Sequence, residues 1–189
     1  MTKILAFSGS GRRDSYNQRL VAIAAAGACQ AGADVTLINL RDFPLPLFDE
    51  DLEAAGRPEP AKRLKELFLS HQGLLIASPE YNSSLSPLLK NALDWVSRRE
   101  PGEGRLAAFA DKTAAVMAAS PGHLGGLRGL VHLRAILSNV GVLVLPEQVT
   151  LPNAHEAFDA AGNLKDPDRQ EAVLELGAAL ADTLQKLSR

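Results

Sequence analysis

The stretch Ala6-Phe7-Ser8-Gly9-Ser10-Gly11-Arg12-Arg13-Asp14-Ser15-Tyr16-Asn17 decides how the rest of the chain is read. An apolar run, Ile4 to Phe7, stops abruptly in small, hydroxylic and basic residues, and an alanine-rich helical pattern follows. A loop between a strand and a helix offers free backbone N–H groups and the positive end of the helix dipole, so it is built to hold an anion. Ser10 and Ser15 supply hydroxyls, Arg12 a forked cation and Asn17 an amide donor. Ser15 is equally fit to cap the helix, with Gln18 three residues on completing a capping box. The spacing lacks the G-K-[ST] of a P-loop, and Arg12 and Asp14 stand where a dinucleotide fingerprint needs glycine. With no cysteine in the loop there is no phosphatase nucleophile. The loop is expected to bind phosphate and do no chemistry on it.

Outward from this loop, strand and helix patterns alternate. Lys3–Phe7 reads as a buried strand, Asn17–Ala31 as a helix closed by Gly32, and Asp34–Leu40 as a second strand. Pro44, Pro46, Pro58 and Pro60 argue against regular structure until about Ala61, where a helix begins that ends near His71. Gly73–Ser78 is a third strand, and Leu85, Leu88, Leu89, Ala92, Leu93 and Val96 form one helical face. Thr113–Ala119, Leu127–Val140 and Gly141–Leu145 read as strand, helix and strand, and Val173 to Leu187 as a last helix. Strands that are apolar throughout need helices on both faces. The expected fold is a single domain, 1–189, of the α/β class: a flavodoxin-like, doubly wound, five-stranded parallel sheet of order 2-1-3-4-5 in three α/β/α layers. Ligands of such sheets sit at the switch point, past the carboxyl ends of the strands.

Two further loops share that address. Pro79-Glu80-Tyr81-Asn82 follows strand three: a rigid proline and an aromatic fit to wall a planar ring, or alternatively an ordinary turn with a half-exposed tyrosine. Glu80 has no identifiable partner for general-base work. Ser120-Pro121-Gly122-His123-Leu124-Gly125-Gly126 follows strand four and puts exposed amides at a helix mouth, suited to a carbonyl-rich ring edge. His123 has no evident carboxylate partner and reads as a solvated loop residue. A phosphate grip, an aromatic wall and an amide cradle together describe a planar heterocycle carrying one phosphate, which fits flavin mononucleotide (FMN).

These motifs, with Leu89-Lys90-Asn91-Ala92-Leu93-Asp94-Trp95 between them, resemble the NADPH-dependent FMN reductase family across essentially the whole chain. The resemblance implies bound FMN, with Ser10, Arg12, Ser15, Tyr16 and Asn17 at its phosphate end. It further implies Pro79, Glu80, Tyr81 and Asn82 along the isoalloxazine, and Ser120, Gly122, Gly125 and Gly126 near its pyrimidine side. No dedicated catalytic side chain is implied. NADPH or NADH is the expected reductant, and a quinone, flavin, azo compound or metal oxyanion the acceptor. A flavodoxin-like electron carrier is the alternative, although such carriers tend to be strongly acidic. The family tends to form dimers or dimers of dimers. Leu127, Leu130, Val131, Leu133, Ile136 and Leu137 spread around more of their helix than one core stripe needs, and Trp95 is a second candidate contact. Tight packing inside the domain is the other reading of both.

A net charge of −2 points to neither nucleic acid nor an anionic membrane surface as partner. No apolar run is long enough to span a bilayer, and no paired cysteines or H-x-x-x-H spacing suggests a metal. The single cysteine, Cys29, suits a reducing compartment and is expected to be a small buried helix residue. The expected location is the cytoplasm.

Overall fold

Alternate residues of an extended strand point to opposite faces, so a strand apolar at every position must be covered twice. The computed structural model describes residues 1–188, and Arg189, the last residue of the expected domain, lies outside them. Its elements in chain order are β1 (Lys3–Ser8), α1 (Tyr16–Gln30), β2 (Asp34–Asn39), α2 (Glu50–Ala55), α3 (Glu59–Ser70) and β3 (Gly73–Ala77). There follow β4 (Glu80–Tyr81), β5 (Ser84–Leu85), α4 (Pro87–Ser97), β6 (Thr113–Ala119), α5 (Leu127–Asn139), β7 (Leu143–Leu151), α6 (Ala154–Ala157) and α7 (Pro167–Leu187). The main sheet is parallel in the order β2-β1-β3-β6-β7. This is the expected flavodoxin-like order, with β6 and β7 as fourth and fifth main strands.

The alternation divides the core cleanly. Ile4 and Ala6, Leu75 and Ala77, and Ala115, Met117 and Ala119 face α1 and α7. Leu5 and Phe7, Leu74 and Ile76, and Ala114, Val116 and Ala118 face α3, α4 and α5. On the first face two helices meet backbone to backbone. A Cβ on Gly27 would lie 2.0 Å from the Leu174 carbonyl oxygen, and one on Gly177 would lie 1.8 Å from that of Ala24. The alanine-rich composition of α1 is what lets α7 come this close.

Several expectations need correction. The proline-rich segment is not wholly irregular: it forms a 3₁₀ turn at Leu40–Asp42 and the short helix α2, whose N-terminus the Asp49 carboxylate caps by accepting from the Asp51 and Leu52 N–H groups. Leu85 belongs to β5 rather than to the helical face of α4. The fifth main strand runs on to Leu151, well past Leu145, through a bulge opposite Ala114–Val116 that contains Pro146. An edge strand tolerates proline in a bulge. Arg134 gathers the acceptors that the bulge takes out of the ladder: the carbonyls of Leu145 (2.7 Å), Pro146 (3.1 Å) and Glu147 (3.1 Å), and the Gln148 side chain (2.6 Å). Cys29 is exposed, because it falls on the solvent side of α1. Trp95 is fully buried, its indole N–H donating to the Pro46 carbonyl at 2.8 Å, so it anchors the proline-rich loop and offers no surface contact.

Candidate active site

Backbone bonds carry the sheet's ladder one step past the strands. Gly9 N–H donates to Ala77 O at 2.8 Å, Ser78 N–H to Met117 O at 2.9 Å and Ser120 N–H to Leu151 O at 3.0 Å. The three loops therefore leave the sheet at one level and surround a cleft of about 230 Å³. Its walls include Ser10, Arg12, Ser15, Tyr16 and Asn17 from the first loop, Pro79, Glu80 and Tyr81 from the second, and Ser120 from the third. Ala119 and Pro121 complete the lining.

The first loop leaves its backbone donors unspent. Ser8 Oγ accepts from Ser10 N–H at 3.1 Å and Ser10 Oγ from Arg12 N–H at 3.3 Å, which fixes the turn. The N–H groups of Gly11, Arg13, Asp14, Tyr16 and Asn17 have no acceptor among the described residues. Five unpaired donors at a helix start make a ready anion cradle. Ser15 is the N-cap, its hydroxyl accepting from Gln18 N–H at 3.2 Å. Gln18 does not close the capping box, since its side-chain amide donates to Ile38 O instead. The Arg12 guanidinium is exposed, bonds the Asp14 carbonyl and lies 4.4 Å from the centroid of the Tyr16 ring. It has no carboxylate partner among the described residues, so its charge is free to meet an anion.

Asn17 is partly spent elsewhere. Its Nδ2 donates to Ala119 O and its Oδ1 accepts from Ala119 N–H, both at 2.8 Å, which commits one of its two amide hydrogens to the backbone of β6. The carboxamide pins the end of β6 to α1 and so sets the width of the cleft.

The second loop is a tight hairpin. Asn82 (φ 50°) and Ser83 (φ 67°) take the two left-handed positions of the turn between β4 and β5, so Asn82 sits at the tip, outside the cleft walls. Glu80 is not free for proton transfer. Its carboxylate accepts from Arg128 Nε at 2.8 Å, pairs with Arg128 Nη2 at 2.6 Å and accepts from Gly129 N–H at 3.1 Å. Burial pushes its pKa up, but the Gly129 N–H and the Arg128 guanidinium outweigh that and hold it below the ordinary carboxylate value. Glu80 thus ties the hairpin to the start of α5. Tyr81 remains 49% exposed, an open aromatic surface at the cleft's rim.

In the third loop, Ser120 lines the cleft while Gly122, Gly125 and Gly126 do not. Gly126 (φ +91°) presses on β6, where a Cβ would come 2.6 Å from that of Ala118, and one on Gly125 (φ +60°) would come 2.8 Å from Pro152 N. These two glycines shape the loop by close packing. The N–H groups of His123 and Leu124, both exposed, have no acceptor among the described residues.

The chain resembles known proteins over nearly all of its length. The model of the NADPH-dependent FMN reductase family matches residues 2–156. An NAD(P)H-dependent FMN reductase of Pseudomonas aeruginosa is 37% identical over 186 residues, 98% of this chain and 96% of the relative. A 2-hydroxy-1,4-benzoquinone reductase of a Burkholderia species is 32% identical, over 89% of this chain and 88% of the relative. Among solved structures, the flavoenzyme NAD(P)H:(acceptor) oxidoreductase of Paracoccus denitrificans superposes with a TM-score of 0.80 at 28% identity, covering 98% of each chain. The sheet order, the anion cradle and these likenesses agree: the chain belongs to the NADPH-dependent FMN reductase family.

Proposed function

We propose that the chain is an FMN-dependent NAD(P)H oxidoreductase that passes electrons to a small-molecule acceptor such as a quinone, flavin, azo compound or metal oxyanion, with 1–189 acting as one flavin-binding domain. The observation that carries this reading is a loop with five N–H groups that lack acceptors and an Arg12 that lacks a carboxylate partner, walling the same cleft as the open Tyr81 surface. That donor set fits a phosphate ester. FMN, when bound, supplies the reversible redox chemistry between NAD(P)H and the acceptor.

The chain's own residues bind and orient. The amides of Gly11, Arg13, Asp14, Tyr16 and Asn17, the hydroxyls of Ser10 and Ser15, and Arg12 hold the phosphate. Pro79, Glu80, Tyr81 and Asn82 form or brace the wall beside the ring. Ser120 and the loop shaped by Gly122, Gly125 and Gly126 offer N–H groups that stabilise negative charge at its polar edge. No side chain is assigned a proton-transfer step, and either NADPH or NADH serves as reductant.

Leu124 (51% exposed), Leu127 (41%) and Val131 (60%) leave the start of α5 partly uncovered, which supports a homodimer or homotetramer. Light scattering is expected to give a multiple of the 20.1 kDa chain mass, and a monomer at all concentrations overturns this part. No helix among the described residues is long and apolar enough to cross a membrane. The single free cysteine supports a reducing compartment, and the cytoplasm is the location we infer.

The test of function is steady-state oxidation of NADPH and NADH by the FMN-loaded protein with a quinone and no other protein present. Sustained turnover is expected. A protein that retains FMN yet consumes neither nucleotide would be an electron carrier or a binding module instead.

A further inference from the structure

An aromatic column stands beside the cleft. Tyr16, on the first turn of α1, carries the Arg12 guanidinium 4.4 Å from its ring centroid. The Tyr16 ring runs parallel to that of Phe158, with planes 6° apart and centroids 6.2 Å apart, and the Arg19 guanidinium lies 5.8 Å from the Phe158 centroid. Two arginines and two rings thus form one series, and only its Arg12 and Tyr16 members line the cleft.

Phe158 is brought there by a closely tied loop. It forms an antiparallel bridge with Leu164. Asp159 N–H donates to Asn163 O, Asn163 N–H to the Asp159 carboxylate, Lys165 N–H to Ala157 O and Leu164 N–H to the Gln170 side chain, each at 2.9 Å. The loop lies just past residues 2–156, so the family match does not account for it. An exposed arginine loses rotamer freedom when it grips a phosphate, and that loss weakens binding unless the guanidinium is already in place. A cation resting on a ring that is itself held by a second ring has given up that freedom beforehand.

We propose that Phe158 is a positioning residue for the phosphate grip: it steadies Tyr16, and Tyr16 keeps the Arg12 guanidinium standing at the cleft before the ligand arrives. The inference rests on reading the cleft as the FMN phosphate site. It separates from that reading because riboflavin, which has the same ring system and no phosphate, does not need Arg12.

The experiment titrates deflavinated protein with FMN and with riboflavin, following flavin fluorescence, for the wild type and for Phe158→Leu, Phe158→Tyr, Arg12→Ala and the Arg12→Ala/Phe158→Leu pair. Leucine keeps the apolar contact with the core, and melting temperatures report whether each variant folds. Phe158→Leu is expected to weaken FMN binding roughly five- to tenfold, the scale of one aromatic or cation–π contact, and to leave riboflavin binding unchanged. Phe158→Tyr restores the preference for FMN, and Phe158→Leu adds nothing once Arg12 is gone. Parallel weakening of both flavins, an unchanged FMN affinity, or a full additional loss in the Arg12→Ala background overturns the positioning role. A wild type that binds FMN no better than riboflavin overturns the phosphate reading itself.

Discussion

At the amino-terminal end of the sheet a cluster of buried polar side chains is paired within the chain. His71 is buried there. Its Nδ1 meets Leu67 O at 2.6 Å, which requires that nitrogen to donate, and its Nε2 meets Thr36 Oγ1 at 2.8 Å. The buried Lys112 ammonium donates to the His71 carbonyl, and Gln72 closes the gap with Lys3. At the carboxyl-terminal end of the same strands, five backbone N–H groups have no acceptor among the described residues, the Arg12 guanidinium has no carboxylate partner, and the Tyr81 ring is half exposed. Backbone donors on mostly exposed residues that converge at a helix start are open to an anion, whereas the paired cluster at the other end is not, so the carboxyl-terminal end is the place for a ligand. The contrast locates the site without appeal to a motif.

The contrast can be broken most sharply at Arg12. Arg12→Ala is expected to lower FMN affinity by about ten- to a hundredfold, the worth of a charge-assisted phosphate contact, with no change in the melting temperature of the flavin-free protein. A loss of stability with intact affinity would instead assign Arg12 to the scaffold. The mirror-image change is His71→Ala, expected to cost roughly 1–3 kcal/mol in denaturant unfolding because it removes a buried ring with its bonds to Thr36 and Leu67, while FMN affinity holds. If flavin binding fell with it, the two ends would not be independent.

Gly126→Ala sharpens the comparison within the carboxyl end. It combines a left-handed backbone with a 2.6 Å approach to Ala118, so stability drops by about 1–2 kcal/mol and the preference for FMN over riboflavin stays as it was. The smallest effect belongs to Glu80→Gln, under about 1 kcal/mol at neutral pH because the Arg128 partner is exposed. Its pH dependence has a definite sign. The folded-state pKa of Glu80 is depressed, so its contribution is present above the unfolded carboxylate value and is lost as pH falls through the folded one. Wild type and Glu80→Gln should therefore differ most in unfolding free energy at neutral pH and converge in acid. A gap that widened in acid would contradict the Arg128 and Gly129 contacts.

The sheet was legible because Ile4 to Phe7, Leu74 to Ala77 and Ala114 to Ala119 are apolar at every position, and a doubly covered parallel sheet is the common solution for such strands. Much of the cleft was legible for the same reason, since the fold dictates which loops meet. What escaped depends on distant partners. Asn17 reads as a free amide until the fold places the Ala119 backbone against both of its polar atoms. Glu80 looks unpartnered because Arg128 reaches it from α5. Pro146 reads as the end of a strand, yet a bulge lets β7 continue to Leu151 and deliver Ser120 to the cleft. Phe158 lies in an irregular stretch whose spacing announces nothing, and only its stacking on Tyr16 reveals it.

The most direct test of the carboxyl-end cleft as a phosphate grip is the pair of dissociation constants of wild-type, deflavinated protein for FMN and for riboflavin. The cradle of N–H groups and Arg12 predicts that FMN binds tighter by about two orders of magnitude or more. Equal affinity for the two flavins would contradict it.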